Sequence, residues 1–399
     1  MKTFHVLLTL ALGGLFLASC GNKPRTETHS GTETGLPVID LQKDYPEQEV
    51  FLQDIADVTY IPLETTDESV LGVISKIICR NDTLIILDLQ QKKVFFFNTE
   101  GKYLSSFGHV GGGKTEYAFP YNLCVDPDRR EILVYDTPMK FRIVVYDFAG
   151  NFIRELKLSE EISADGIYNY DKDYLLAYDV HKLQIPGSGT PSPYPYCFIS
   201  KTTGEVTRLP LKVEKRKNNS FYYDQGNGTT MLSTIQMSPL IMKGSDAVIT
   251  DFALDTIYRY ANHVLEPIAI RQGGEDDMGM LSSTLLISDR YCFLNVTHVQ
   301  VNPESHQMES SENKVLMCDR ETGKVVTVQL ANKDIPQMKN YTGFDMANMS
   351  APDNCFITLY LPDVLYSFDE QHLLSGELKA LMSRLDPENN PVLMLVKFK

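Results

Sequence analysis

The chain has 399 residues, with 37 Lys or Arg against 52 Asp or Glu and a formal charge of −15. That acidic balance excludes a broad phosphate-binding face and with it a nucleic-acid partner. The length would admit two or three domains, and 43% hydrophobic residues are enough for a large core.

Lys2 opens a short basic start, and residues 6–17 form an apolar stretch too short to span a bilayer comfortably. It ends in Leu17-Ala18-Ser19-Cys20-Gly21, which resembles the lipobox of bacterial lipoproteins. The resemblance implies cleavage before the cysteine, so residues 1–19 read as a lipoprotein signal peptide. Cys20 would then carry a diacylglycerol on its thiol and an acyl chain on its amine. Several buried chains hold a soluble domain at a membrane, whereas one chain is marginal. Residues 20–36 are rich in Gly, Ser, Thr, Asn and Glu, lack apolar periodicity and read as a flexible tether. By the sorting rule of related lipoproteins, the absence of Asp after Cys20 points to the outer membrane. Lys23 and Arg25 stand where surface-exported Bacteroidetes lipoproteins are acidic, which favours the periplasmic face of the cell envelope. The expected membrane partner is reached through Cys20.

From residue 57 onward, β-branched and aromatic runs bounded by Gly, Pro, Asn and Asp signal strands. Five times such a run ends in a polar turn, closed by Gly or Asn, before a second run. The copies are Val94-Phe-Phe-Phe-Asn-Thr-Glu-Gly101, Val144-Val-Tyr-Asp-Phe-Ala-Gly150 and Cys197-Phe-Ile-Ser-Lys-Thr-Thr-Gly204. The other two are Thr256-Ile-Tyr-Arg-Tyr-Ala-Asn262 and Val315-Leu-Met-Cys-Asp-Arg-Glu-Thr-Gly323. The closing residue supplies the positive φ of a tight hairpin. The turns recur about every 50–60 residues, near the period of four-stranded propeller blades. A hairpin cannot bury its own face, so the repeat implies stacked neighbours.

Blades are expected at 73–107, 121–158, 166–211, 237–271 and 284–330, with a Pro/Gly/Ser loop at 184–195 and a polar loop at 302–313. A sixth is split. It takes strands at 344–349, 355–361 and 391–399, and one from 57–63. Between them, 362–385 is helical by the spacing of Leu373, Leu374, Leu378, Leu381 and Met382. Pairing the two termini closes the ring and removes open edges. The expected fold is all-β: a six-bladed β-propeller over 37–399, closed by its N- and C-terminal strands, with a short helical insertion near the C-terminus.

Asp57-Val-Thr-Tyr-Ile-Pro-Leu-Glu-Thr-Thr-Asp-Glu-Ser69 resembles the opening signature of the six-bladed β-propeller lipoproteins of Bacteroidetes. Gly108-His-Val-Gly-Gly-Gly-Lys-Thr-Glu-Tyr117 is similar to their glycine-rich segment, with Lys114-Thr115 where Pro-Gly is common. Asn389-Asn-Pro-Val-Leu-Met-Leu-Val-Lys-Phe-Lys399 is similar to their closing strand. The resemblance covers about residues 37–399 and implies an NHL-like fold in an exported, tethered protein. It implies little chemistry, because most members have no assigned activity.

Gly108-x-x-x-x-Gly113-Lys114-Thr115 meets Walker A spacing, but no helix follows, because Tyr117-Ala-Phe-Pro120 breaks it. The segment reads as an inter-blade crossover. Its functional variant is a pocket at the channel mouth lined by His109, Lys114, Glu116 and Tyr117, the candidate ligand-binding residues. The histidines are scattered without a His-x-x-x-His pair, and there is no Gly-x-Ser-x-Gly elbow. No metal, cofactor or catalytic residue is therefore assigned. Cys79, Cys124, Cys197, Cys292, Cys318 and Cys355 sit singly in apolar runs and read as buried free thiols. Asp126, Asp128, Asp171, Asp173 and the acidic run 275–277 read as turn caps, and the basic run 212–217 as a solvated inter-blade loop. Asp82-Thr-Leu84 and Asp255-Thr-Ile257 resemble the O-glycosylation motif of Bacteroidetes, a pattern of little specificity.

The expected function is a membrane-anchored, exported binding module for a glycan, a peptide or an envelope protein. The alternative is a propeller-type hydrolase or lyase with its active site at the channel mouth. Fold alone cannot choose between them.

Overall fold

The computed structural model describes residues 36–80, 82–136, 141–183, 189–217, 220–224, 230–234, 238–274, 280–301, 308–339, 349–350 and 353–399. Residues 1–35, with Cys20, and the acidic run 275–277 lie outside them. Six antiparallel sheets form a six-bladed β-propeller. Blade one comprises Ile74–Arg80, Thr83–Asp88, Lys93–Asn98 and Tyr103–Phe107, and blade two Pro120–Asp126, Glu131–Asp136, Arg142–Asp147 and Phe152–Lys157. Blade three comprises Ala164–Asn169, Tyr174–Asp179, Tyr196–Ser200 and Val206–Arg208; blade four has Leu240–Lys243, Asp246–Ile249, Thr256–Ala261 and Val264–Gln272. Blade five is Met280–Ile287, Tyr291–Val301, Met308–Asp319 and Val325–Ala331.

Middle strands are covered on both faces, so they read as continuous apolar runs: residues 84–87 and 94–97 are entirely buried. The core divides into six clusters, one between each pair of neighbouring blades. The one joining blade six to blade one packs Ile61, Ile357 and Leu393 against Ile77, Leu84 and Phe95, which makes the ring continuous.

Blade six closes as the termini imply. Val392–Phe398 pairs with Cys355–Tyr360 on one side and Ala56–Pro62 on the other, with Ala56 opposite Phe398 and Pro62 opposite Val392. Its expected strand at 344–349 lies mostly outside the described residues. Met349–Ser350 pairs in parallel with Ile77 and Ile78 of blade one instead, using hydrogen-bonding groups on the inner edge of that blade. The expected helical insertion is present as helices Pro362–Glu370 and Gly376–Leu381 and a 3₁₀ turn, Met382–Arg384. Leu365, Phe368, Leu374, Leu378 and Leu381 bury it against blades five and six.

Three elements differ from expectation. Val38–Asp40 and Glu47–Phe51 add parallel fifth strands to the outer edges of blades four and five, so the chain before residue 57 straps the ring. Of the polar loop expected at 302–313, residues 302–307 lie outside those described and 308–313 are strand. Residues 308–313 continue the third strand of blade five because the apolar-rich Tyr291–Val301 offers a full-length partner. A hairpin of Ser220–Asp224 and Thr230–Thr234 follows blade three in the chain, and its first strand lies beside Met308–Asp319 of blade five. The basic run is only half solvated: Lys212 pairs with Glu214, but Arg216 stacks 5.0 Å from the Tyr178 ring centroid and donates to Ser192 O and Asp179 O.

Candidate functional site

The hairpin turns position everything around the ring. Asn98, Asp147, Ser200 and Asp319 each accept two N–H groups of their own turn. Gly101, Gly150, Gly204 and Gly323 hold φ between 69° and 85°. Three of these glycines also touch the preceding blade. A Cβ at Gly101 would stand 2.1 Å from Pro62 O, and one at Gly204 2.3 Å from Lys157 O. Their carbonyls accept hydrogen bonds from the crossover that leaves that blade: Glu64 N to Gly101 O at 2.8 Å and Ser159 N to Gly204 O at 3.1 Å. At Gly150 the donor is a side chain, His109 Nε2, at 2.7 Å.

Opposite these turns along the strands stands a second repeat. The second strand of blades one to three ends at Asp88, Asp136 and Asp179, and Asp251 follows that of blade four; all are 2% exposed or less. Each of the first three carboxylates accepts N–H groups from the crossover entering its blade. Asp88 takes Gly72 N at 2.5 Å, Asp136 takes Ala118 N and Phe119 N at 3.0 and 2.8 Å, and Asp179 takes Ser163 N at 2.9 Å. Arg142 ties Asp136 to Glu155, at 2.9 and 2.7 Å. The sequence carries this signal as an apolar run closing on aspartate, Ile-Leu-Asp88, Val-Tyr-Asp136, Ala-Tyr-Asp179 and Ile-Thr-Asp251, which the reading of motifs missed.

The glycine-rich crossover lies on this face. Tyr117 is fully buried, its hydroxyl donating to Lys92 O at 2.8 Å and its pKa pushed up by burial to about 12. Glu116 accepts Gly113 N at 2.8 Å, while its carbonyl and that of Gly113 take the Arg142 guanidinium. His109 is stacked 5.0 Å from Tyr146, and Lys114 is exposed. Three of the four candidate residues therefore brace the crossover, and one reaches solvent.

Beside the crossover, across the turn at Lys92 and Lys93, opens a cleft of about 730 Å³. Asp67, Glu68, Gln90, Lys93, Tyr103 and Ser106 are among its lining residues, and Tyr103 Oη lies 3.0 Å from Ser106 Oγ. One wall is the loop after Pro62, and Asn390 knots it. The Asn390 amide donates to Glu64 O and Ser69 O and accepts Leu71 N, each at 2.8 Å. The opening signature and the closing Asn-Asn-Pro thus meet in one hydrogen-bonded structure. Lys92, next in the chain to Lys93 of the cleft, reaches Ala118 O through Nζ at 2.9 Å and lies over Phe119, so the turn that bounds the cleft also touches the crossover.

Buried charges elsewhere are committed to packing. Lys201 pairs with Asp126 at 2.6 Å across blades three and two, and Arg271 sits among the carbonyls of Asp251, Leu254 and Ser282, its pKa lowered by burial. Near the axis, Lys76 lies over the Tyr168 ring at 5.2 Å, joining the inner strands of blades one and three. Among the described residues, no three His, Cys, Asp or Glu side chains are grouped to hold a metal.

A six-bladed propeller with this turn chemistry can be compared with known proteins. The chain belongs to the family described as a domain of unknown function, DUF4934, whose model matches residues 36–397. Among solved structures it is similar to a "Putative exported protein" of Bacteroides fragilis, with 16% identity and a TM-score of 0.62, covering 91% of this chain and 99% of that one. A member of the DUF4221 family from Bacteroides vulgatus matches at 12% identity and a TM-score of 0.39, covering 68% of this chain and 84% of that one. No curated protein matches. At such identities the likeness concerns the fold.

Proposed function

We propose that this protein is an exported binding module, held at the outer membrane through Cys20, that takes a polar ligand such as a glycan in the cleft of blade one. The cleft carries the reading: its size suits a small ligand, and it sets an aromatic ring, Tyr103, among amide, hydroxyl, carboxylate and ammonium groups. Such a set suits a hydroxylated ligand, with stacking on the ring and hydrogen bonds from its rim. Lys114 on the neighbouring crossover extends the same face, while His109, Glu116 and Tyr117 hold that crossover in shape. The exported neighbour supports the location, and the commitment of buried charges to packing favours binding over catalysis.

Two measurements test the two halves separately. Titration calorimetry with a glycan panel should find a ligand whose affinity falls at least tenfold in Tyr103→Ala and in Lys93→Ala. Binding that survives both changes removes the cleft from consideration. Cys20→Ala should move the chain from the membrane to the soluble fraction, and a variant that stays with the membrane would reject the lipid anchor.

A further inference from the structure

The face that carries the cleft also holds out apolar side chains: Val70, Val73, Phe119 and Tyr121 are 50, 55, 41 and 43% exposed. They gather around one turn of blade one, residues 89–92. Leu89 N–H donates to Val73 O at 2.8 Å and Gln91 Nε2 to Val70 O at 2.6 Å, while Lys92 Nζ lies 5.8 Å over the Phe119 ring. Tyr121 follows on the inner strand of blade two, which lies beside that of blade one. Val70 also lines the cleft, so the apolar row begins in the cleft wall and leaves it past Lys92.

This exposure is built in. Val73 and Phe119 stand immediately before the inner strands of their blades, where buried aspartates pin the backbone: Gly72 N–H to Asp88 at 2.5 Å and Phe119 N–H to Asp136 at 2.8 Å. The same position holds the hydroxylated Ser163 in blade three and the buried Pro239 in blade four. Among these four blades, only the two beside the cleft present a large apolar side chain there. Single exposed apolar residues are ordinary surface, but a contiguous row fixed by backbone hydrogen bonds offers contact area at little ordering cost.

We infer that the ligand of the cleft is amphipathic, a glycolipid whose hydroxylated head occupies the cleft and whose hydrocarbon chain lies over Val70, Val73 and Phe119. The inference rests on the proposed reading of the cleft and adds the class of molecule it takes. Tyr103, Ser106 and the rim amides meet the head, and the chain leaves through the one wall that continues as apolar surface. Lys92 contributes its methylene stem to that surface while its ammonium stays bonded to Ala118 O. Each methylene buried along the row should tighten binding about threefold to fourfold.

The probes are methyl and octyl β-glucoside, maltose and dodecyl β-maltoside, and dodecylphosphocholine as a chain without a sugar, all below their micelle concentrations. They are titrated by calorimetry into the full chain carrying Cys20→Ala. An alkyl glycoside should bind about tenfold or more tighter than its short counterpart. Val73→Ser and Phe119→Ser together should remove that gain and leave the short sugar unchanged, whereas Tyr103→Ala should weaken both. The chain contains no Trp, so Phe119→Trp supplies a single fluorophore. Its emission should shift to the blue with octyl glucoside and stay in place with methyl glucoside; if the double variant folds poorly, this shift decides. Equal affinity for long and short chains overturns the inference and leaves the polar cleft standing. Dodecylphosphocholine binding as tightly as the glycosides and unaffected by Tyr103→Ala also overturns it, since the apolar row then acts without the cleft. If no probe binds, the glycolipid falls, while the glycan panel still decides the cleft.

Discussion

Blades one to three and blades four to six share a strand order but are held by different means. In the first half, each blade is latched to its predecessor by local repeats: a glycine-turn carbonyl taking a hydrogen bond from the incoming crossover, and a buried aspartate taking another. In the second half the chain brings in pieces from its far ends. The strap edges blades four and five, the two termini build blade six, and the helices cover its flank. Where adjacent copies can make their own interface, the repeat suffices. Where it degenerates, as at Asn262 and His263, both at positive φ, distant segments supply the missing surface.

That contrast can be broken by substitution. Arg142→Ala should have the largest effect, because it leaves the buried Asp136 and the half-buried Glu155 without their cation; a loss of about 3–5 kcal/mol is expected by urea denaturation. A loss below about 1 kcal/mol would mean that the aspartate repeat does not hold blade two. Next is Val50→Asp, which places a charge in the core under the strap. About 3 kcal/mol and concentration-dependent aggregation are expected as the outer edge of blade five is uncovered, read by light scattering on heating. A monomeric variant of unchanged melting temperature would show the strap to be dispensable.

The third test sets the halves against each other. Gly204→Ala meets both a positive φ and Lys157 O, whereas Gly323→Ala meets the positive φ; both glycines bond through N–H within their own turn, to Ser200 O and Asp319 O. Losses of about 3 and about 1 kcal/mol are expected. Equal losses would erase the distinction between latching and merely turning. The smallest effect belongs to His109→Ala, about 1 kcal/mol for the lost donor to Gly150 O. Chemical denaturation resolves it, and no change would show that the imidazole does not serve as the latch of blade two.

Hairpin turns and the six-bladed ring were legible because they rest on short-range chemistry, Asn98 to Gly101 or Asp147 to Gly150 within a single turn. The second duty of those glycines was not legible, since Pro62 O and Lys157 O come from another blade. Val38-Ile-Asp40 is too short to show a period, and its partner Ile270 is remote in sequence, so the strap could not be read. The opening signature and the closing Asn-Asn-Pro were both visible, but only Asn390 reaching Glu64 O and Ser69 O explains why they occur together. The cleft was the least legible part. Gln90, Lys93 and Tyr103 carry no motif, and they gather only because a hairpin and a terminal loop meet at one rim.

The strap also sets an order of emergence. Val38 pairs with Ile270, Glu47 with Thr327, and Ala56 with Phe398, so each successive early strand waits for a later partner. A chain made or threaded from its N-terminus holds three unmatched strands while blades one to three assemble beside them. These long closures are slow, and the waiting edges are open to other chains. The ring is sealed only when Val392–Phe398 arrives, which makes that strand the final step of a timetable written into residues 38–62.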